Sequence, residues 1–312
     1  METDHLGEEY RYETLSLGRD REGDVVATLV ERADNPADGP AVLYVHGFVD
    51  YFFHPHVADF YRARGYAFYA LDLRKSGRSI RPGQTPYDMA DISDYFAELD
   101  EAARRIRARH GKVLVNAHST GGLAVALWAD RLRGKGIIDA IFLNSPFLEV
   151  NAPWPVRVFG PLVVRPVGRF APKAHVPVPL SGANAKSLHR DHHGEWDFDL
   201  TWKPVSGLPV RMGWLRAVVR AQAKVRRGLR IDVPILVASS TSSYKRPGWA
   251  PEAHTADAVL DAEAIARIAP RLGPDVTVVR IPEGMHDLAL SGESARSRMF
   301  KELGVWLDAR FD

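Results

Sequence analysis

VLVNAHSTGG, residues Val113 to Gly122, begins as a run of strand formers and then breaks off into small residues around Ser119. Most serines cap helices or face water, so the neighbours must decide what this one does. AHSTG, Ala117 to Gly121, is a variant of GxSxG, in which the serine occupies a sharp turn from strand to helix. Small residues two before and two after keep side chains from colliding in that turn, and Ala117 is small enough to replace a glycine. The hydroxyl is pushed outward, and the following helix brings its free N–H groups and positive dipole end beside it.

Working outward, short hydrophobic runs alternate with longer amphipathic ones, as when helices cover both faces of a mostly parallel sheet. Eight strands are expected, near Tyr10 to Leu17, Val25 to Glu31, Ala41 to His46, Ala67 to Asp72, Lys112 to Asn116, Ala140 to Asn144, Pro234 to Ser239 and Thr277 to Ile281. Helical spacing falls at Ile92 to Arg109, Thr120 to Leu132, Ala262 to Leu272 and Ala295 to Asp308. Residues 1–146 and 233–312 form the expected core, and 147–232 is an insertion too long for a simple connection, read as a lid.

Three more pieces fall where an activated serine needs them. HGF, His46 to Phe48, follows the strand AVLYV, and the N–H of Phe48 with that of Thr120 can hold the negative oxygen of a tetrahedral intermediate. GMHD, Gly284 to Asp287, follows the last strand, and His286 there is the candidate base. TADAVLD, Thr255 to Asp261, follows the strand PILVASS and offers Asp257 to orient His286. Asp261 is the rival and the better cap for the helix beginning near Ala262, with Asp232 more remote. His118, inside the elbow, is read as a packing or supporting residue.

The order Ser119, Asp257, His286 is that of α/β hydrolases. The chain resembles the serine-hydrolase branch of that superfamily, and within it the monoacylglycerol lipase, lysophospholipase and serine aminopeptidase-like group. HGF, LDLRKSGRS at Leu71 to Ser79, AHSTGG, TADAVLD and GMHD carry the resemblance across the core but not the insertion. Lys75 departs from it, standing where relatives often have glycine. Related lipases hold the acid in a motif similar to SADRxxD, which selects Asp257. The resemblance implies an α/β-hydrolase fold, a carboxylic ester substrate such as a monoacylglycerol or lysophospholipid, and no cofactor. An aminopeptidase-like peptidase, an acyltransferase or a non-catalytic binding protein are the alternatives, and Glu195, Asp197 and Asp199 could serve the first by receiving a free amine.

The insertion holds four of the seven tryptophans and 14 basic against 6 acidic residues, while the whole chain, 41 basic against 39 acidic, carries a formal charge of +2. That balance offers no field for nucleic acid. Phe52, Phe53, Trp196, Trp202 and Trp214 suit an apolar acyl pocket, although each tryptophan also reads as lid core. Arg216, Arg220, Lys224, Arg226, Arg227 and Arg230 bunch on one helical stretch, read as a solvated face in preference to an attractor of anionic substrates or lipid head groups. His54 and His56 are assigned to a loop at the pocket mouth or in solvent. The cluster at His189, His192 and His193 lacks metal-ligand spacing and is read as a polar loop. Zero cysteines exclude thiolate chemistry and fit a cytoplasmic protein. No basic and apolar leader opens the sequence, and no run approaches the ~18 apolar residues of a membrane span, leaving only peripheral lipid contact through the lid.

Overall fold

Nine strands form one sheet in the computed structural model, which describes residues 2–176 and 182–311. They are β1 (Glu2–Asp4), β2 (Gly7–Asp20), β3 (Gly23–Arg32), β4 (Ala41–Val45), β5 (Ala67–Asp72), β6 (Val113–His118), β7 (Ala140–Asn144), β8 (Ile235–Ser240) and β9 (Val276–Ile281). Their order across the sheet is β1-β2-β3-β5-β4-β6-β7-β8-β9. Pairing is antiparallel from β1 to β5 and parallel from β5 to β9. All eight expected strands are present. The ninth, β1, is too short to show a periodic pattern, and Asp4 within it is held by a two-pronged contact from Arg78 at 2.6 and 2.8 Å.

Among the described residues there are eight α-helices: α1 (Pro55–Arg62), α2 (Phe96–Arg107), α3 (Ser119–Leu132), α4 (Trp154–Phe170), α5 (Ala183–Leu188), α6 (Met212–Arg227), α7 (Ala262–Ile268) and α8 (Glu293–Arg310). Every residue of β4, β6 and β7 is buried, because both faces are covered. Leu43 and Val45 pack with α2 and α3, whereas Val42 and Tyr44 pack with α1 and α8, the two-residue alternation of a strand.

The stretch 147–232 runs between β7 and β8 and contributes α4, α5 and α6. It is not all separate from the core. Trp214, Ala217, Val218, Ala221 and Val225 of α6 join the cluster built by α2 and α3. Helix α4, in contrast, buries only Gly168. A Cβ there would lie 2.5 Å from the Met212 carbonyl oxygen and 2.6 Å from Cβ of Arg216, so the α4–α6 crossing needs glycine.

Lys75 adopts the left-handed φ of +57° usually left to glycine. Its ammonium bridges Asp20 at 2.6 Å and Glu22 at 2.8 Å, tying this turn to the β2–β3 hairpin. Against the upward pull of burial, hydrogen bonds from Lys75 and Thr85 hold the Glu22 carboxyl down to about 2. Among the described residues no helix is long and apolar enough to cross a membrane.

Candidate active site

The turn from β6 into α3 places Ser119 at φ +50°, a strained conformation for a residue with a side chain. The packing explains its small neighbours. A Cβ on Gly121 would stand 2.2 Å from the carbonyl oxygen of His46 and 2.9 Å from that of Val45, and one on Gly47 would meet Ser119 Cβ at 3.0 Å. Strand β4 therefore passes against the first turn of α3, and only glycine permits the approach.

His286 and Asp257 arrive from the loops beyond β9 and β8. His286 Nε2 lies 3.0 Å from Ser119 Oγ, and its Nδ1 lies 3.0 Å from Asp257 Oδ2. A carboxylate accepts only, so Nδ1 carries the proton and Nε2 is left to accept from the serine hydroxyl. The other oxygen of Asp257 accepts the N–H groups of Val259 and Leu260 at 2.8 and 2.7 Å, which fixes the carboxylate plane. All three side chains are buried. Asp261 instead caps α7, accepting from the N–H groups of Glu263 and Ala264.

Phe48 follows β4 directly past His46 and Gly47. His46 Nδ1 donates to the Gly47 carbonyl at 2.7 Å and its Nε2 accepts from the Leu73 N–H at 3.0 Å, so the imidazole pins this loop to the turn after β5. Thr120, second residue of α3, has no acceptor within its helix for its N–H. The Phe48 ring sits 4.2 Å from that of Trp214, bringing α6 over the loop.

Behind His286 lies a buried polar cluster that the sequence did not reveal. Lys203, from the 147–232 stretch, reaches Asp50 at 2.5 Å and lies over the rings of Phe53 and Phe198. Burial pushes the Asp50 carboxyl up, but the Lys203 ammonium prevails and holds it below the ordinary value. Asp287 accepts from Asn144 Nδ2 at 2.7 Å and from the Ala289 N–H at 3.0 Å. Burial works against its charge too, yet the His118 and His54 imidazoles and Lys203 hold it down to about 2. His118 donates to the Asn144 carbonyl at 3.1 Å and its ring centre lies 4.8 Å from that of His286, while burial keeps it below its usual range and so neutral. Asp50, His118 and Asp287 offer ligand-type atoms within 4.8 Å of one another, and the Lys203 ammonium already supplies positive charge there. Asp50 and Lys203 stand 153 residues apart, and no spacing signals their meeting.

The aromatic candidates separate. Trp214 belongs to the core beneath Phe48, whereas Trp196, Trp202 and Phe53 pack with Tyr51, Phe198 and Met285. Phe52 is a core residue and no pocket wall, because chain alternation turns it toward Tyr10, Tyr44 and Phe68, leaving it fully buried. His54 and His56 are likewise not loop residues in solvent. His54 caps α1 in the core with both ring nitrogens unpartnered, and burial pushes it down to about 3. His56 stacks on Trp196 and reaches the Ala289 carbonyl at 2.8 Å. Among the three clustered histidines, His189 is buried and His193 stacks on Trp249, so they do not converge. Glu195 and Asp197 are paired with Arg296 and Arg190.

No curated protein matches the chain in sequence. In structure it is similar to a soluble variant of monoglyceride lipase from Saccharomyces cerevisiae, solved with a substrate analogue, at TM-score 0.67 and 16% identity, covering 96% of each chain. It is also similar to the monoacylglycerol lipase of Paleococcus ferrophilus, at TM-score 0.63 and 18% identity over 96% of this chain and 99% of that one. Est1E from Butyrivibrio proteoclasticus, solved with ferulic acid bound, gives TM-score 0.55 and 17% identity over 92% and 96%. At such identities the likeness establishes the α/β-hydrolase fold. The model of the serine aminopeptidase, S33, family matches residues 38–293, most of the chain including the elbow, the acid loop and the histidine loop, and this protein belongs to that family.

Proposed function

We propose that the chain is a serine hydrolase of carboxylic esters working through an acyl-enzyme on Ser119. The observation that carries this reading is the buried relay of two 3.0 Å contacts from Ser119 through His286 to Asp257. In acylation the Ser119 oxygen attacks the ester carbonyl as its proton passes to His286 Nε2, and the N–H groups of Phe48 and Thr120 receive the negative oxygen. His286 then gives that proton to the leaving alcohol, and water reverses the sequence to release the acid.

Phe48, Trp214 and Phe147 support an apolar wall beside Ser119, and the substrate we propose is a monoacylglycerol or lysophospholipid. The stretch 147–232 acts as the lid over it, Trp202 and Lys203 binding it to the core. The chain works in the cytoplasm and meets lipid from the side. The family description gives the peptidase reading its own support. It requires a carboxylate for the substrate's free amine; arginines hold Glu195 and Asp197, which leaves Asp199, whose carboxylate accepts from the Thr201 N–H, as its candidate.

Short p-nitrophenyl esters assayed beside aminoacyl arylamides separate the two, with esters expected to turn over. Ser119→Ala should lose about 10⁶-fold in kcat together with labelling by a fluorophosphonate. Undiminished turnover in the purified variant would refute the nucleophile.

A further inference from the structure

We infer that α4 and α6 together form a docking surface for an anionic phospholipid bilayer, with lipid phosphates seated in the groove between the two helices. The inference deepens the reading of the chain as an enzyme of acyl lipids and rests on it for its purpose, not for its geometry. The starting point is a helix exposed on its wrong side. Of the 17 residues of α4 only Gly168 is buried, while Leu162 is 70% and Phe170 83% exposed. Phe159 and Val163 are exposed with them, and the spacing of these four puts them on the side away from Gly168. Among the described residues nothing covers that face.

The neighbouring groove, about 570 Å³, decides what does cover it. Arg165 and Arg169 of α4 face Arg216, Arg220, Lys224 and Arg227 of α6 across it. On α6 these four recur at three and four residues, one stripe of a helix whose opposite stripe is in the core. Neither helix contains an aspartate or glutamate. Among the described residues only Arg220 of the six meets a carboxylate, Asp91 at 3.3 Å.

A second copy is a poor occupant, since a symmetric pairing would lay this basic groove against itself. A bilayer with acidic head groups matches both halves, taking Phe159, Leu162, Val163 and Phe170 among the acyl chains and the guanidinium groups at the phosphates. The opposite, core-facing stripe of the same α6 carries Trp214 against Phe48, which joins this helix to the loop next to Ser119.

The test is co-sedimentation of the full-length protein with vesicles of phosphatidylcholine alone or mixed with phosphatidylglycerol, with short-ester turnover read on the same samples. Binding is expected to be strong only on the mixed vesicles and to fall with added salt. Arg165→Ala combined with Arg169→Ala should weaken it about 25-fold, roughly fivefold per cation. Leu162→Ser with Phe170→Ser should abolish it, and both variants should keep soluble-ester turnover. Equal binding to both vesicles, or none to either, would overturn the inference. So would full competition by soluble glycerol phosphate, which indicates a free-anion pocket, or a dimer that the apolar variant dissociates. Docking that persists in a protein without ester turnover would sink the enzyme reading and leave the surface standing.

Discussion

Replacing Lys203 by methionine tests the buried cluster behind the candidate base. The methionine fills the space between the Phe53 and Phe198 rings but leaves Asp50 buried with no counter-charge. Removing one partner of such a pair costs about 3–5 kcal/mol. The sign of the pH dependence is the sharper signature. In the native protein the Asp50 pKa is lowered, so its contribution is present above the unfolded carboxylate value and lost on acidification. In Lys203→Met the folded pKa rises above the unfolded one, near 3.9, so stability is kept in acid and lost as pH climbs. Each pH unit over which the folded carboxyl stays protonated while the unfolded one is ionised costs ~1.4 kcal/mol. Urea unfolding from pH 4 to 8 reads it directly. The double variant Asp50→Asn, Lys203→Met should recover most of the loss, as isolated pairs replaced together often do. Because Asp50 is two residues beyond Phe48, kcat for a soluble ester should fall in the single variant and return partly in the double. Parallel pH curves for Lys203→Met and the native protein would show that the ammonium is not what keeps Asp50 ionised.

Asp257→Asn should lower kcat about 10⁴-fold by presenting the wrong hydrogen-bond partner to His286, whereas Asp261→Asn should leave kcat intact and cost at most about 1 kcal/mol of stability, read by thermal melts. Gly121→Ala should yield little folded protein, since its methyl would enter the His46 carbonyl; circular dichroism of any soluble fraction checks this. His54, pushed to about 3 in the fold, loses stability for the protein as pH falls from about 6.5 toward 3, at up to ~1.4 kcal/mol per unit. His54→Phe should therefore flatten the acid limb of the stability curve between pH 6 and 4.

What was legible in the sequence was whatever the chain encodes locally. Strands β4, β6 and β7 announce themselves by unbroken apolar runs, and the elbow by the small residues on either side of Ser119. The choice of Asp257 over Asp261 rested on cap chemistry and motif position; Asp257 lies against His286, and Asp261 caps α7. Helix α1 was missed because eight residues opened by a proline show barely two turns of pattern. The neighbouring aromatics held an unread signal: Tyr51 and Phe53 face one cluster and Phe52 with His54 the other, an alternation visible in YFFH. The Asp50–Lys203 contact had no local trace. Nor did the exposed face of α4, because only the crossing at Gly168 decides which side of that helix is left without a partner.

The serine and the histidine that touch it are 167 residues apart, and the histidine's strand pairs at the far edge of the sheet. During synthesis Ser119, the nucleophile proposed above, emerges long before His286. On that proposal a nascent chain carries an inert alcohol, and the hydroxyl meets its partner only when the final parallel pairing closes. In a refolding experiment, recovered turnover would accordingly time the docking of the carboxyl-terminal strand rather than the first collapse of the core.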